Sequence, residues 1–172
     1  RDFWERITQE LMSESTGMFR PVKNNACTAQ EAFNRDQWVP NPNPNKKESE
    51  PIASVHLEAF TFVGQLIGVA LRNKMLLNLN FATIVWKALA NDRPTLHDLR
   101  AVDYDTFAVT KKLRDGVKNG DSSTNEMKWT VTTLDGRSMA LIPNGKSTIV
   151  SKARILEYCD CLEQFRLNEY NA

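Results

Sequence analysis

Three cysteines and two histidines are the side chains of this 172-residue chain best suited to nucleophilic catalysis or metal binding. Cys159 and Cys161 form the one local cluster, but residues two apart on a helix project roughly 200° apart. They therefore cannot clamp one zinc ion together or close an unstrained disulfide. Cys27 has no base or cationic group near it in sequence, as a reactive thiol requires. The cysteines alone predict no catalytic site.

The histidines do not predict a metal site either. A zinc site needs three or four His, Cys or carboxylate ligands at recognisable spacing, and His56 and the pair His97-Asp98 do not supply them. Gly64 and Gly68 fall inside a predicted helix without the lysine of a phosphate-binding loop, and serine-nucleophile motifs are absent. We therefore predict no catalytic residue, no cofactor and no metal in this chain.

Composition narrows the class of protein. Lys plus Arg is 22 and Asp plus Glu is 21, so the formal net charge is +1, which argues against a nucleic-acid partner. No apolar stretch approaches the roughly 20 residues that cross a membrane. Few cysteines and no leader sequence favour a reducing compartment, the cytoplasm or the nucleus. The first residue, Arg1, suggests a piece of a longer chain.

Hydrophobic periodicity predicts a mostly helical α+β fold. The predicted helices cover residues 2–14, 52–72, 80–90, the surroundings of 96–99, 103–116 and 152–168. Residues 15–51 are proline-rich and irregular, with two short extended islands at 17–19 and 37–39. A polar loop is expected over 119–125. Alternating residues on both sides of Asp135-Gly136 predict an antiparallel hairpin near the carboxyl end, with a third short strand at 148–150.

Four of the helices carry further local signals. Asn80, Thr95, Asp103 and Ser151 stand where N-caps are expected. The helix over 52–72 is apolar on most sides, which predicts burial in a core. Gly64 and Gly68 lie four residues apart on it, so we expect another helix to pack closely against that face.

Several segments, in this order, resemble the HECT-type ubiquitin ligases. They are Asp36 to Pro42, Phe60 to Arg72, Leu76 to Leu79, Val85 to Leu89, Thr95 to Leu99 with Val102-Asp103, Ile142 to Gly145, Glu157-Tyr158 and Phe165 to Asn168. Each is short, but their order and spacing over roughly 38–168 make the resemblance specific. The Val85-Trp86-Lys87 run and the ending after Phe165 look most like the large HECT ligases that carry propeller repeats.

The resemblance implies the front part of a HECT N-lobe. Residues 1–102 correspond to the helical part of the large subdomain, with the irregular Pro-rich loop at 15–51. Residues 103–172 correspond to a small subdomain that docks a ubiquitin-conjugating enzyme. The catalytic C-lobe is expected to lie outside this chain. The parent would thus be a ubiquitin-protein transferase, and this fragment alone would be inactive.

The resemblance also places a docking groove. Thr106, Val109 and Thr110 fall on its first helix, Trp129 on the hairpin, and Tyr158 and Leu162 on its last helix. The family often has larger apolar residues where Thr106 and Thr110 stand, so this chain departs from the family pattern at two positions of the groove. For Tyr158 and Leu162 a second interpretation stays open, in which both simply pack on the hairpin.

The expected partners follow from the family mechanism. They are a ubiquitin-conjugating enzyme, ubiquitin, and protein substrates bound through regions outside this chain, with no nucleic acid and no membrane. The alternative hypothesis is a non-catalytic helical adaptor for protein interactions, and a third is an independent thiol enzyme using Cys27.

Overall fold

A computed structural model of the chain describes residues 2–41, 54–120 and 127–170. Within these residues the helices are α1 (Asp2–Leu11), α2 (Ser54–Arg72), α3 (Thr83–Leu89), α4 (Leu96–Val102), α5 (Tyr104–Lys118) and α6 (Ile155–Tyr170). The strands are β1 (Phe19–Pro21), β2 (Trp38–Pro40), β3 (Thr130–Thr132) and β4 (Ser138–Ala140). The predicted α+β class, mostly helical, is confirmed. Residues 42–51 and 121–125 of the two predicted loops, and the side chain of His56, lie outside the described part.

The two extended islands of the Pro-rich segment pair with each other. β1 and β2 are antiparallel, with Arg20 opposite Val39. A single parallel bridge joins Trp38 to Phe81, so the ribbon is anchored to the chain before α3. Val39 is almost fully buried, which fixes the ribbon on the core although it contains two prolines.

Two of the predicted helix caps are confirmed. Thr95 and Asp98 form a reciprocal capping box at the start of α4. The Asp103 carboxylate accepts a hydrogen bond from the Thr106 N–H at the start of α5. Both caps satisfy N–H groups that a helix leaves unpaired in its first turn.

The other two predicted caps are wrong. α3 begins at Thr83 after Ala82, and the Asn80 amide instead donates to the Asp36 carboxylate at 2.9 Å. Ser151 makes no side-chain cap bond, and a short 3₁₀ turn at Lys152–Arg154 precedes α6. In both places the local residue type suits a cap, but the tertiary structure uses the side chain or the backbone differently.

Helix α2 ends at Arg72 as predicted, and its predicted first residues, 52–53, lie outside the described part, but the predicted burial is wrong. Val63, Leu66 and Ala70 pack into the core, whereas Phe62 is 52% exposed and Leu71 is 74% exposed. The expected close packing at Gly64 and Gly68 is also wrong for the described residues, because a Cβ built at either glycine meets no atom within 4 Å.

The predicted hairpin forms with Val131 opposite Met139. Gly136 adopts φ 89°, the left-handed conformation that its turn requires. The third strand is reduced to one antiparallel bridge between Lys128 and Ile149. At Gly145 a Cβ would lie 2.4 Å from the Trp129 carbonyl oxygen, so only glycine fits where this turn crosses the hairpin.

The buried apolar residues form two clusters. The first joins α1, the β1–β2 ribbon, α2, α3 and α4. The second joins the β3–β4 hairpin, Val150 and the first half of α6. Leu167 and Tyr170 at the end of α6 belong to the first cluster, so this helix contributes to both. The subdomain boundary at 102/103 stays a prediction. None of the described helices is long and apolar enough to cross a membrane.

Candidate docking surface

The six residues that the resemblance placed in a groove do not share one exposed surface. Val109 is 48% exposed. The other five are buried, namely Thr106, Thr110, Trp129, Tyr158 and Leu162. Trp129, Tyr158 and Leu162 pack into the second cluster, as the second interpretation given for Tyr158 and Leu162 proposed, and partner binding by the six residues stays a prediction.

Trp129 and Tyr158 form the centre of that cluster. Their rings meet edge to face at a centroid distance of 5.6 Å, and the indole has no solvent exposure. The Arg154 guanidinium covers the indole at 4.5 Å from the ring centroid. Burial also raises the pKa of the Tyr158 hydroxyl. This aromatic pair supports the surface above it and offers no area to a partner in this conformation.

Thr106 and Thr110 serve the internal hydrogen bonding of α5. The Thr106 hydroxyl donates to the Asp103 carboxylate at 2.9 Å, and the Thr110 hydroxyl donates to the Phe107 carbonyl at 3.1 Å. Both buried threonine hydroxyls are therefore satisfied within this part of the chain, and the Thr110 carbonyl accepts from the Cys159 thiol of α6 at 3.7 Å.

An open groove of about 860 Å³ runs along the outer face of α5. Tyr104, Phe107, Val109 and Leu113 of α5 contribute apolar wall, and Ile155 at the start of α6 closes one end. Five charged residues also line it, namely Glu31, Arg100, Lys111, Lys112 and Asp115. The groove thus combines apolar area with charged side chains, as protein-binding surfaces commonly do.

Arg114 ties the two helices beside the groove. Its guanidinium contacts the carboxylates of Glu163 and Asp160, both at 2.7 Å. Hydrogen bonds from Arg114 to Glu163 and then to Asp160 raise the pKa of the guanidinium above its ordinary value. Because Glu163 is buried, this pair holds α5 against α6 more firmly than a fully exposed ion pair would.

Beneath the surface, Arg166 joins three elements. Its guanidinium lies 3.3 Å from the buried Asp103 carboxylate, donates to the Thr132 carbonyl of β3, and pairs with Glu169 at 2.7 Å. Lys23 approaches the same Asp103 carboxylate at 3.2 Å. The cap of α5, the hairpin and the end of α6 therefore meet at one buried ionic group.

Arg100 is the residue of the groove that sequence reasoning missed. Its guanidinium lies 5.5 Å from the ring centroid of Phe33 and 5.6 Å from that of Phe107. The Nε–H is buried and has no hydrogen-bond acceptor. In the sequence, Arg100 looks like an ordinary cation in the last turn of a short helix, and only the fold brings the two rings to it.

The cysteines have little nucleophilic character. Burial raises the pKa of the Cys159 thiol to about 11 and also raises that of Cys161. The buried Cys27 thiol donates to the Asp105 carboxylate at 3.2 Å. Within residues 2–41, 54–120 and 127–170, no group of three or more His, Cys, Asp or Glu side chains could hold a metal ion.

Comparison with known proteins decides the family. A model of the HECT-domain (ubiquitin-transferase) family matches residues 5–171, nearly the whole chain. The chain belongs to the HECT-domain family. Mouse E3 ubiquitin-protein ligase HERC2 is 31% identical over 166 residues, which cover 96% of this chain and 3% of that ligase. Saccharomyces cerevisiae E3 ubiquitin-protein ligase TOM1 is 24% identical over 170 residues, which cover 97% of this chain and 5% of that ligase.

The HECT resemblance is thus confirmed, and so is the predicted similarity to members with propeller repeats, to which the HERC2 ligases belong. The human HERC2 ligase is 32% identical over 120 residues, which cover 69% of this chain and 2% of that ligase. This HECT chain therefore spans only a few per cent of the length of these relatives.

Proposed function

We propose that this HECT chain docks a ubiquitin-conjugating enzyme through the groove along α5. In the reaction implied for the parent ligase, ubiquitin passes from the conjugating enzyme's thioester to a cysteine of a separate C-lobe and then to a substrate lysine. Docking holds the thioester near that lobe. Because the conjugating enzyme has to dissociate after transfer, a buried interface area below about 1,200 Å² suits this docking.

Val109 carries the proposal. It is an apolar side chain of α5, 48% exposed, in the wall of the groove. Apolar side chains at the centre of an interface commonly dominate its affinity when water is excluded around them.

In this proposal the buried residues of the predicted site support the groove through the fold and do not contact the partner. Trp129, Tyr158 and Leu162 belong to the second cluster, and Thr106 and Thr110 are buried side chains of α5. Substitution of any of them would disturb the groove through the fold of the region. Partner binding at these five positions would thus be indirect.

The parent's activity is a separate part of the proposal. Family membership and ligase relatives support a ubiquitin-protein transferase, with ubiquitin and protein substrates as further partners. A location in the cytoplasm or the nucleus stays a prediction from the sequence. Cys27 and Cys159 are buried, and burial raises the pKa of the partly exposed Cys161 thiol, so all three are poor acceptors for ubiquitin and we expect the chain by itself to be inactive.

Val109→Asp tests the docking site. A carboxylate at the centre of the groove should weaken binding by about 2 kcal/mol or more because it must be desolvated without a partner. Titration of fluorescent ubiquitin-conjugating enzymes against wild-type and variant chains gives the two Kd values.

Leu76→Asp is the matched control, since Leu76 is an apolar residue that is 98% exposed and lies outside the groove. It should bind as the wild type does. Equal loss in both variants, or no loss in either, would reject the groove as the docking site. Thermal unfolding of both variants checks that the fold is kept.

A further inference from the structure

We propose that Arg100 is a specificity-determining residue that binds a carboxylate, an Asp or Glu side chain of the docked protein partner. This inference rests on the proposed docking function and adds the chemistry that the partner has to present. It follows from three properties of Arg100 in this fold, namely its fixed position, its unpaired charge and its place in the groove.

The position of Arg100 is fixed by the loop that follows β1. The buried Asn24 amide donates to the Arg100 carbonyl at 3.0 Å and to the Ala101 carbonyl at 2.9 Å. At the other end of α4, Lys87 pairs with the buried Asp98 carboxylate at 2.7 Å. The backbone that carries Arg100 is thus held at both ends of its helix.

The side chain is ordered as well. The ring centroids of Phe33, in the segment between β1 and β2, and of Phe107, in α5, lie 5.5 and 5.6 Å from the guanidinium carbon. At this distance a cation is attracted to a ring face. The rings restrain the guanidinium without satisfying its N–H groups. A partner that pairs with it therefore meets a donor that has already lost most of its rotamer freedom.

The charge of Arg100 has no ion-pair partner among the side chains that the structure describes. Among residues 2–41, 54–120 and 127–170 it forms no ion pair, and its buried Nε–H has no acceptor. Arg100 is half-buried, whereas the fully buried Arg166, whose Nε–H likewise has no hydrogen-bond acceptor, forms ion pairs with Asp103 and Glu169. An arginine with a buried and unsatisfied donor at a groove is suited to a bidentate carboxylate from outside.

The charges around Arg100 favour binding of an anionic group. The groove is lined by Arg100, Lys111 and Lys112 against Glu31 and Asp115, an excess of one positive charge. Phe107 lies both against Arg100 and in the groove wall, so an acidic side chain paired with Arg100 would sit beside the apolar area of Phe107. We therefore expect a partner loop with a carboxylate next to an apolar anchor.

The test compares Arg100→Glu and Arg100→Lys in the full chain. Each is titrated against a panel of purified ubiquitin-conjugating enzymes that bind the wild type. Charge reversal should raise the Kd at least about tenfold, because it replaces attraction by repulsion at a partly desolvated pair. Arg100→Lys keeps the charge but loses the two-pronged geometry, so it should show a smaller loss.

Arg6→Glu on α1 is the control, since it changes the net charge equally at an exposed arginine outside the groove. The decisive step is rescue. Single Asp→Arg or Glu→Arg variants of the conjugating enzyme should include one that restores binding to Arg100→Glu and binds the wild-type chain poorly.

The outcomes distinguish carboxylate recognition by Arg100 from docking at the groove along α5. If Arg100→Glu binds as the wild type does while Val109→Asp does not, carboxylate recognition is wrong and the docking groove stands. If Arg100→Glu loses affinity but no acidic site on the partner rescues it, the carboxylate assignment is likewise wrong. If no conjugating enzyme binds the wild-type chain, both are rejected.

Discussion

Helices α2 and α6 are of similar length, 19 and 16 residues, but the fold treats them in opposite ways. α2 is the more apolar of the two, yet it exposes large side chains such as Phe62 and Leu71. α6 contains more polar residues, yet it buries Glu163 and Arg166 together with its apolar side chains. Composition alone therefore does not predict burial. What decides it is whether each side chain finds a partner within the chain.

The two clusters differ accordingly. The second cluster, around the β3–β4 hairpin and α6, encloses Trp129 completely and pairs its buried charges. The first cluster buries only one side of α2, and the described residues leave the opposite side uncovered. Substitutions should thus have large effects on stability in the second cluster and small effects on the outer side of α2.

The largest expected effect is that of Trp129→Ala. Removing a fully buried indole should lower the free energy of unfolding by about 4 kcal/mol because a cavity remains. Urea unfolding followed by circular dichroism gives this value.

Phe62→Ala on α2 is the matched aromatic control. Its change should stay within about 0.5 kcal/mol because half of the ring already faces solvent. Similar losses in both variants would show that α2 is covered in solution, which would erase the difference between the two regions.

The next largest effect is expected from Arg166→Met. It leaves the Asp103 carboxylate buried with Lys23 as its remaining ion-pair partner, which should destabilise the chain by about 3 kcal/mol. Arg72→Met, at the exposed end of α2, should be nearly neutral in the same urea experiment. A nearly neutral Arg166→Met would mean that the buried ionic group contributes no more than a surface pair.

The smallest effect concerns acid stability of the hairpin. Hydrogen bonds from Arg137 and then Thr133 lower the pKa of the Asp135 carboxyl to about 2. Because the folded pKa lies below the unfolded value of 3.8, this stabilisation is complete above about pH 4 and is lost as the pH falls towards 2.

Asp135→Asn should therefore lower the melting temperature slightly at pH 6 and leave it nearly unchanged at pH 2. The check is a series of thermal melts between pH 2 and 6. Asp115→Asn serves as a charge-matched control at an exposed position of α5. A constant gap between Asp135→Asn and wild type at every pH would exclude this carboxylate as the source.

Signals that act within a few residues predicted the fold well. The Thr95 and Asp103 caps depend on side chains that bond to N–H groups within the next turn, so the sequence contains the whole interaction. The hairpin around Gly136 is equally local, since its turn requires a residue that tolerates positive φ. Asn80 failed because its amide bonds to Asp36, a residue 44 positions away.

The candidate site was less predictable for the same reason. Family resemblance placed Trp129 and Tyr158 at a groove, but whether a ring lies above or below a surface depends on contacts made across the cluster. The setting of Arg100 arises from Phe33 and Phe107, which lie far apart in the sequence. Its role has no local signature.

The junction at Arg166 sets a limit on how the domain can be shortened. Its guanidinium neutralises the cap of α5 and holds a hairpin carbonyl, and its partner Glu169 also accepts from the Leu134 N–H. A boundary placed before Arg166 would leave the Asp103 carboxylate without this guanidinium and would remove its hydrogen bond to the β3–β4 hairpin. Expression boundaries for this region should therefore keep α6 through Tyr170.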